Sequence, residues 1–332
     1  MDKINVGVTF NAAPEILAMI QGVSPRIVIK DITAMASEER KTGAPSKELD
    51  RVLADLEVLL LAQRPQRLIE RAPKLKWAHY FGTGVDFLAE AGLDHAPFII
   101  TNTTGTNSKP IAESCFLFML MFVKRAPGLM ENKRLHAYNR PPVIPDFLEG
   151  KTLGVLGMGQ IGLEVAHRGR AFSMHVLGYR RSIASVEHHA GDFEEVYPGP
   201  MLTDLLSQCD FVVSALPLTK ETTRIIGERE LRAMKPTAYL INVGRGKLID
   251  EPVLVRALKE GWIAGAGLDV FEREPLPAES PLWDLPNCLI SPHVTGETID
   301  HRVRATRFFC DQLRRYAAGQ PLKNIIDVAK GY

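Results

Sequence analysis

Two kinds of segment alternate along the first hundred residues. Short apolar runs, typical of buried parallel strands, recur as INVGVTF (4–10), RIVI (26–29), VLLLA (58–62), KWAHYF (76–81) and FIIT (98–101). Helical stretches at 14–22 and 67–71 and a polar connection containing Pro and Gly lie between these runs. Such alternation predicts a parallel sheet covered by helices.

The pattern begins again at residue 151. The apolar runs are KTLGVLGMGQIG (151–162), HVLGY (175–179), DFVVSALP (210–217), AYLINV (238–243), AGAGLDV (264–270) and CLISPHV (288–294). They predict a second doubly wound α/β unit. Before it, one long helix is predicted over about 110–135, followed by an extended proline-rich arm at 139–151 that contains Pro141, Pro142 and Pro145.

One further helix is predicted after the second unit has ended, over about 297–318. Since no strand follows it, we expect it to pack against the first domain and to make that domain discontinuous. The predicted domains are therefore 1–103 with 297–332, and 104–296.

Composition narrows the class of function. The chain of 332 residues has 40 Lys and Arg against 39 Asp and Glu, so it lacks the basic excess of a nucleic-acid or anionic-membrane binder. The apolar run FLFMLMFV (116–123) is shorter than the roughly 20 residues of a membrane span and predicts a buried helix. No export signal opens the chain, and its four scattered cysteines are typical of reduced core thiols, so we expect a cytoplasmic protein without a metal site.

The glycines Gly157, Gly159 and Gly162 lie between an apolar strand and a helical segment. In this context the first permits a tight turn, the second lets a pyrophosphate approach the backbone, and the third lets helix and strand pack closely. The helix N-terminus then faces the phosphates. The pattern predicts a dinucleotide site.

Further candidate chemistry follows later strands of the same unit. Arg245 lies between two glycines, which we expect to leave space for a small substrate whose carboxylate the guanidinium binds. Pairing of Arg245 with Asp250 or Glu251 is the alternative. His293 also follows a strand, and a carboxylate from LDVFEREPLP (268–277) could hold its ring for proton exchange.

Four motifs in this order resemble the D-isomer-specific 2-hydroxyacid dehydrogenases: GVLGMGQIG (154–162), LPLTKETTRIIG (216–227), INVGRGKLIDE (241–251), and the pair LDVFEREPLP (268–277) with SPHVTG (291–296). The resemblance covers nearly the whole chain. It implies a Rossmann cofactor domain, a flavodoxin-like substrate domain, an active site in the cleft between them, and a homodimer built through the cofactor domains. Where the family's arm carries a tryptophan, Tyr138 and the prolines stand here, which leaves the details of the arm open.

The resemblance also implies roles for individual residues. Arg245 matches the substrate-binding arginine, Glu274 the glutamate of the catalytic pair, and His293 the acid/base histidine, which makes Glu272 the less suitable partner. The loop Gly82, Thr83 and Gly84 resembles the loop that binds the substrate through its N–H groups. The remaining cofactor contacts are expected at Ser108, Gln160, Ile161, Leu216, Pro217, Val243, Asp269, His293 and Gly296, with Asp269 receiving the nicotinamide carboxamide.

The cofactor is suggested by Arg180, Arg181 and Ser182. A dinucleotide unit normally places an acid after its second strand to bind the ribose hydroxyls, whereas a 2′-phosphate favours guanidinium groups and hydroxyl donors. This stretch has two arginines and no acid. We therefore predict a preference for NADP(H), with NAD(H) as the alternative should the arginines be solvated loop charges.

The expected activity is hydride transfer between a nicotinamide cofactor and a small 2-oxo or D-2-hydroxy acid. An Arg/Ser pattern at this point is commoner among the family's glyoxylate and hydroxypyruvate reductases, so we expect reduction of a 2-oxo acid. Two alternatives use the same scaffold: a phosphite-type dehydrogenase and a non-enzymatic, dinucleotide-sensing co-repressor. Formate oxidation is disfavoured, because the related formate enzymes carry glutamine where Glu274 stands.

Overall fold

A computed structural model describes residues 2–86, 88, 91–93, 95–140 and 144–328. The chain divides into two compact units, one formed by Met1–Thr106 with Thr298–Tyr332 and the other by Asn107–Glu297. Pro141 and Pro142 of the predicted arm lie outside the described residues.

The first unit is built on five parallel strands. Their sheet order is β2-β1-β3-β4-β5, the order of flavodoxin-like folds, and it confirms the α/β class predicted for this part of the chain. The strands are β1 (Ile4–Val8), β2 (Ile27–Asp31), β3 (Val58–Leu61), β4 (Trp77–Tyr80) and β5 (Ile99–Asn102). β3 is buried throughout, as expected for a parallel strand covered on both faces.

The helices of this unit are α1 (Pro14–Gln21), α2 (Thr33–Thr42), α3 (Lys47–Leu53), α4 (Leu68–Arg71) and α11 (His301–Ala317). The predicted polar connection after β2 was wrong, because this segment forms α2 and α3. Ser46 caps α3 by accepting from the N–H of Leu49, and Leu49 and Leu53 are buried. α11 begins at His301 rather than near 297 and contacts α1, so the last helix packs on the first unit.

The second unit is built on eight strands in the order β13-β12-β11-β10-β6-β7-β9-β8. All neighbours are parallel except β8 and β9. The strands are β6 (Thr152–Leu156), β7 (His175–Tyr179), β8 (Glu187–Ala190), β9 (Phe193–Tyr197), β10 (Phe211–Ser214), β11 (Tyr239–Asn242), β12 (Gly265–Leu268) and β13 (Cys288–Ile290). This Rossmann-type sheet confirms the prediction of a second doubly wound unit.

Six helices of the second unit are α5 (Ser108–Val123), α6 (Ala126–Arg134), α7 (Gln160–Ala171), α8 (Leu202–Leu206), α9 (Glu228–Ala233) and α10 (Glu251–Glu260). The single helix predicted over 110–135 was wrong. The chain breaks at Arg125, whose φ of 57° is left-handed, and Pro127 opens a new helix.

The run 116–123 lies in α5, where Phe116, Phe118, Met119 and Phe122 are buried. Among the described residues, no helix combines the length and apolar character needed to cross a membrane. All four cysteines are unpaired, and burial raises the pKa of Cys209 to about 12 and that of Cys310 to about 11.

Candidate active site

The glycine loop connects β6 to α7. Gly157 has a φ of 99°, and a Cβ there would lie 2.8 Å from the carbonyl oxygen of Ala215. A Cβ on Gly162 would lie 1.9 Å from the carbonyl oxygen of Gly157. Both positions thus require glycine for the fold of the loop itself.

Gly159 has no such internal reason to be glycine. Its backbone is extended, and no heavy atom of the described structure lies within 4 Å of a Cβ built on it. It is also the N-cap of α7, and no side-chain hydrogen bond caps this helix end. Uncapped N–H groups beside an open glycine suit a pyrophosphate, so the loop fits a dinucleotide.

The predicted adenosine end follows the neighbouring strand. β7 pairs with β6 in parallel, and the Gly157 N–H donates to the carbonyl of Tyr179 at 3.3 Å. Arg180 comes next in the chain, while Arg181 and Ser182 are exposed. The arginines therefore begin directly beside the glycine loop.

Each arginine lies near a carboxylate. Arg180 Nη2 lies 2.7 Å from Glu187 Oε2, and Arg181 Nη1 lies 3.4 Å from Glu221 Oε2. Sequence spacing gave no indication of Glu187, because β8 and β9 form a hairpin that the apolar pattern did not predict. The two strands flank Gly191 and Asp192, and Gly191 has a φ of 66°, so this glycine is a local signal of a turn.

Arg245 follows β11 and is half-buried, with its Nη1 donating to the carbonyl of Gly244 at 2.7 Å. The expectation that the flanking glycines leave space for a substrate was wrong. A Cβ on Gly246 would lie 1.8 Å from the carbonyl carbon of Phe271, and one on Gly244 would lie 2.7 Å from the Leu248 side chain. The glycines serve tight packing within the chain, which fixes the backbone on either side of Arg245.

The acids considered as alternative partners of Arg245 make other contacts. Asp250 caps α10 by accepting from Val253 N–H and lies 3.6 Å from Arg224. Glu251 accepts from the N–H of Glu272 at 3.0 Å. Burial raises the pKa of Glu251 above its usual range.

His293 and Glu274 meet in the second unit. The ring Nδ1 lies 2.8 Å from Glu274 Oε2, while Glu274 Oε1 accepts from the N–H of Phe271 at 3.0 Å. The neighbouring Glu272 pairs with Arg224 at 3.3 Å instead. Of the two nearby glutamates, the structure therefore brings Glu274 and not Glu272 to the histidine.

The loop that carries His293 is held by Asp269, which is buried at the end of β12. Its carboxylate accepts hydrogen bonds from the hydroxyl of Ser291 at 2.5 Å, from Val294 N–H at 3.0 Å, and from the N–H and hydroxyl of Thr295. The N–H of His293 donates to the main-chain carbonyl of Asp269 at 2.9 Å, and His293 has a left-handed φ of 57°. Sequence reasoning missed this positioning role of Asp269.

Other predicted cofactor residues lie at the ends of strands or helices. Gln160 and Ile161 open α7, Leu216 and Pro217 follow β10, and Val243 follows β11. Ser108 begins α5. A Cβ on Gly296 would lie 3.4 Å from Asn107 Nδ2, just before that helix.

The predicted substrate loop belongs to the first unit. The side chain of Asn102 donates to the carbonyl of Thr83 at 2.8 Å, and Thr103 donates to the carbonyl of Gly82 through its N–H and its hydroxyl. A Cβ on Gly82 would lie 2.6 Å from the ring of Tyr80. The end of β5 thus fixes the loop through its carbonyl groups.

Comparison with known proteins identifies the family. The family model described as D-isomer specific 2-hydroxyacid dehydrogenase, NAD binding domain, matches residues 116–295, more than half of the chain. The chain belongs to the D-isomer specific 2-hydroxyacid dehydrogenase family. This 2-hydroxyacid dehydrogenase is therefore an NAD(P)-dependent enzyme, of a class that includes 2-oxoacid reductases.

Curated relatives and solved structures agree with this assignment. The dehydrogenase is 36% identical to a glyoxylate reductase of Korarchaeum cryptofilum over 78% of each chain. It is 36% identical to glyoxylate/hydroxypyruvate reductase B of Pectobacterium atrosepticum over 78% of its own length and 81% of the relative's. A solved NADPH-dependent glyoxylate/hydroxypyruvate reductase of Sinorhizobium meliloti, in complex with NADP and sulfate, is 28% identical, with a TM-score of 0.81 over 99% of this chain and 100% of that one.

Proposed function

We propose that this enzyme is an NADPH-preferring reductase of small 2-oxo acids of the glyoxylate and hydroxypyruvate type. The observation that carries the proposal is the contact between Glu274 and His293, whose loop is fixed by the carboxylate of Asp269. The same unit also contains the glycine loop and Arg245. A held imidazole suits proton transfer and an arginine suits a carboxylate, and reduction of a 2-oxo acid needs both.

In this proposal Arg245 binds the substrate carboxylate, and the N–H groups of Gly82, Thr83 and Gly84 also bind the substrate. NADPH, when bound, supplies the hydride that the carbonyl carbon accepts. Glu274 holds Nδ1 of His293, so Nε2 is the nitrogen that donates a proton to the carbonyl oxygen. Preorganised donors stabilise the negative charge that grows on that oxygen. The product is the 2-hydroxy acid.

The proposal also assigns residues to the pyrophosphate and the 2′-phosphate of the cofactor. The N-terminus of α7 and Gly159 would hold the pyrophosphate, and Arg180, Arg181 and Ser182 would bind the 2′-phosphate of the adenosine ribose. Support for NADP(H) comes from these two arginines beside the glycine loop and from the NADP-bound Sinorhizobium relative. A guanidinium can bind a phosphate through two hydrogen bonds.

The proposal is tested by steady-state kinetics with NADPH and NADH, each paired with glyoxylate, hydroxypyruvate, pyruvate and a bulky aromatic 2-oxo acid. We expect the highest kcat/KM with NADPH and glyoxylate or hydroxypyruvate. A preference for NADH would contradict the role of the arginines. Absence of turnover with every oxo acid, accompanied by oxidation of phosphite, would replace the reductase assignment with a phosphite-type dehydrogenase.

We also propose a homodimer formed through the cofactor units. Large apolar side chains are exposed along α5, α6 and the segment after them: Leu117, Leu129, Met130, Leu135, Tyr138, Ile144 and Phe147. Apolar groups concentrated in this way mark surfaces that another protein covers. A second copy of the chain is the occupant expected from the family resemblance.

A cytoplasmic location remains our proposal. It is supported by the four unpaired cysteines, of which Cys115, Cys209 and Cys310 are buried in the core. Such thiols are typical of a reducing compartment.

A further inference from the structure

The β8–β9 hairpin brings an acid to the place where the sequence showed none. β9 pairs in parallel with β7, placing Tyr197 opposite Tyr179, and β8 pairs antiparallel with β9, placing Glu187 opposite Val196. Glu187 therefore lies at the same edge of the sheet as the carboxyl end of β7, which Arg180 directly follows. The carboxylate reaches the Arg180 guanidinium at 2.7 Å.

The guanidinium of Arg180 is incompletely satisfied by this contact. Its Nε is buried and has no hydrogen-bond partner within the part of the chain that the structure describes. The two side chains are 41% and 43% exposed, so the pair lies at the surface and either partner can separate from the other. A guanidinium at the surface with a displaceable partner suits an incoming anion.

We propose that Glu187 is a cofactor-specificity residue that competes with the 2′-phosphate of NADP(H) for Arg180. This inference rests on the proposed function, because it takes Arg180 as part of the 2′-phosphate site. A phosphate on Arg180 weakens the contact of the guanidinium with Glu187 and brings two negative groups close together. NAD(H) carries no 2′-phosphate and encounters neither cost. Glu187 thus reduces the preference for NADP(H) that the arginines create.

The expected size of the effect follows from the exposure of the pair. Half-exposed ion pairs are weak, which corresponds to an affinity change of about two- to fivefold. The effect also decreases with rising ionic strength, since exposed charges are screened by salt.

The experiment compares the Kd values of NADP+ and NAD+ by calorimetry on the full-length chain. The variant Glu187→Gln keeps the shape of the side chain and removes its charge. Glu194→Gln is the matched control, because Glu194 belongs to the same hairpin but contacts Arg170 and His175 at the opposite end of β7. Arg180→Gln tests separately whether the arginine binds the phosphate.

We expect Glu187→Gln to lower the Kd of NADP+ by about two- to fivefold without improving NAD+ binding, with Glu194→Gln like the wild type. An unchanged Kd for NADP+ in Glu187→Gln would overturn the role of Glu187, and so would an equal gain for NAD+. If Arg180→Gln still weakens NADP+ binding in that case, the proposed NADPH preference stands. If Arg180→Gln leaves the Kd of NADP+ unchanged, the phosphate site itself is wrong and the inference falls with it.

Discussion

At the scale of single residues, the three glycines of the phosphate loop are glycine for different reasons. Gly157 has a left-handed φ, and the missing side chain of Gly162 lets α7 approach the loop backbone. Gly159 alone faces open space. The motif can be recognised in a sequence, but only the structure separates the glycines that the fold needs from the glycine that a ligand needs.

The substitutions Gly159→Ala and Gly162→Ala should therefore fail in different ways. Gly159→Ala should keep the wild-type Tm and weaken NADP+ binding by about tenfold or more, because its methyl group enters the space of the pyrophosphate. Gly162→Ala should lower the free energy of unfolding by about 1–3 kcal/mol, because its Cβ meets the backbone of Gly157. Thermal unfolding and calorimetry measure the two properties. Wild-type NADP+ affinity in Gly159→Ala would contradict the assignment.

Glu274 and Glu272 offer a second matched pair of variants, because they lie two positions apart and have different partners. Glu274→Gln should lower kcat by about 10²-fold, near the lower end for a disturbed general acid, because Nδ1 of His293 loses its carboxylate partner. The Kd of NADP+ should change little. Glu272→Gln is the control, since Glu272 pairs with Arg224. The assignment fails if Glu272→Gln lowers kcat as much as Glu274→Gln.

Residues of the site differ in how far the sequence could predict them. Arg245, Glu274 and His293 follow strands within recognisable motifs, so their neighbourhood could be anticipated from the resemblance. Glu187 could not, because its contact depends on the pairing of β8 with β9 rather than on spacing along the chain. The hydrogen bonds by which Asp269 fixes the 291–295 loop could not be predicted either, because no motif specifies their hydroxyl and N–H donors.

At the scale of elements, burial decided which predictions succeeded. Strands β3 and β10, in which every residue is buried, were predicted because parallel strands covered on both faces are continuously apolar. β9 was not predicted, because two glutamates interrupt its buried residues. β8, with the sequence EHHA, has no buried residue and therefore gave no apolar signal. The break between α5 and α6 also lacked an apolar signal, although Pro127 indicated it.

Strand β4 carries a buried histidine whose ring contacts β5. His79 is fully buried, and its Nδ1 lies 2.7 Å from the hydroxyl oxygen of Thr101. The same oxygen accepts a hydrogen bond from Trp77 Nε1. Protonation would place a hydrogen on both ring nitrogens, and Nε2 has no partner among the described residues. Burial lowers the pKa of His79 to about 3.

This histidine should make the first unit sensitive to acid. The unfolded ring titrates near pH ~6.5, so below that pH the unfolded chain binds a proton that the folded chain does not bind until about pH 3. The contribution of His79 to the free energy of unfolding is therefore fully present above pH ~6.5. It decreases as the pH falls, by about 2 kcal/mol at pH 5. The variant His79→Gln should therefore lose less stability than the parent protein when the pH is lowered to 5.

Urea unfolding at pH 8 and pH 5 measures this difference. Trp262→Phe and Trp283→Phe in the background leave Trp77, which donates to Thr101 beside His79, as the fluorescent reporter. His95→Gln, at an exposed position of the same unit, is the control. The same pH dependence in His79→Gln and in the parent protein would show that the buried ring does not couple folding to protons.

At the scale of the whole molecule, the exposed apolar side chains of α5 and α6 bear on assembly. Leu117 is 56% exposed and Met130 is 67% exposed, although these helices belong to a unit with a well-packed core. The family resemblance implies a dimer through this unit, and the apolar surface gives that expectation a physical basis. The net charge of +1 also provides little general repulsion between copies.

We therefore expect wild-type particles of twice 36.8 kDa in sedimentation velocity, and a shift toward the single-chain mass in Met130→Glu. A buried carboxylate without a partner strongly disfavours an interface, because its hydration is lost without compensation. Ile299→Glu is the control, since Ile299 is fully exposed in the first unit. A dimer that persists in Met130→Glu but dissociates in Ile299→Glu would move the interface to the first unit, and a wild type that sediments as a single chain would refute the dimer.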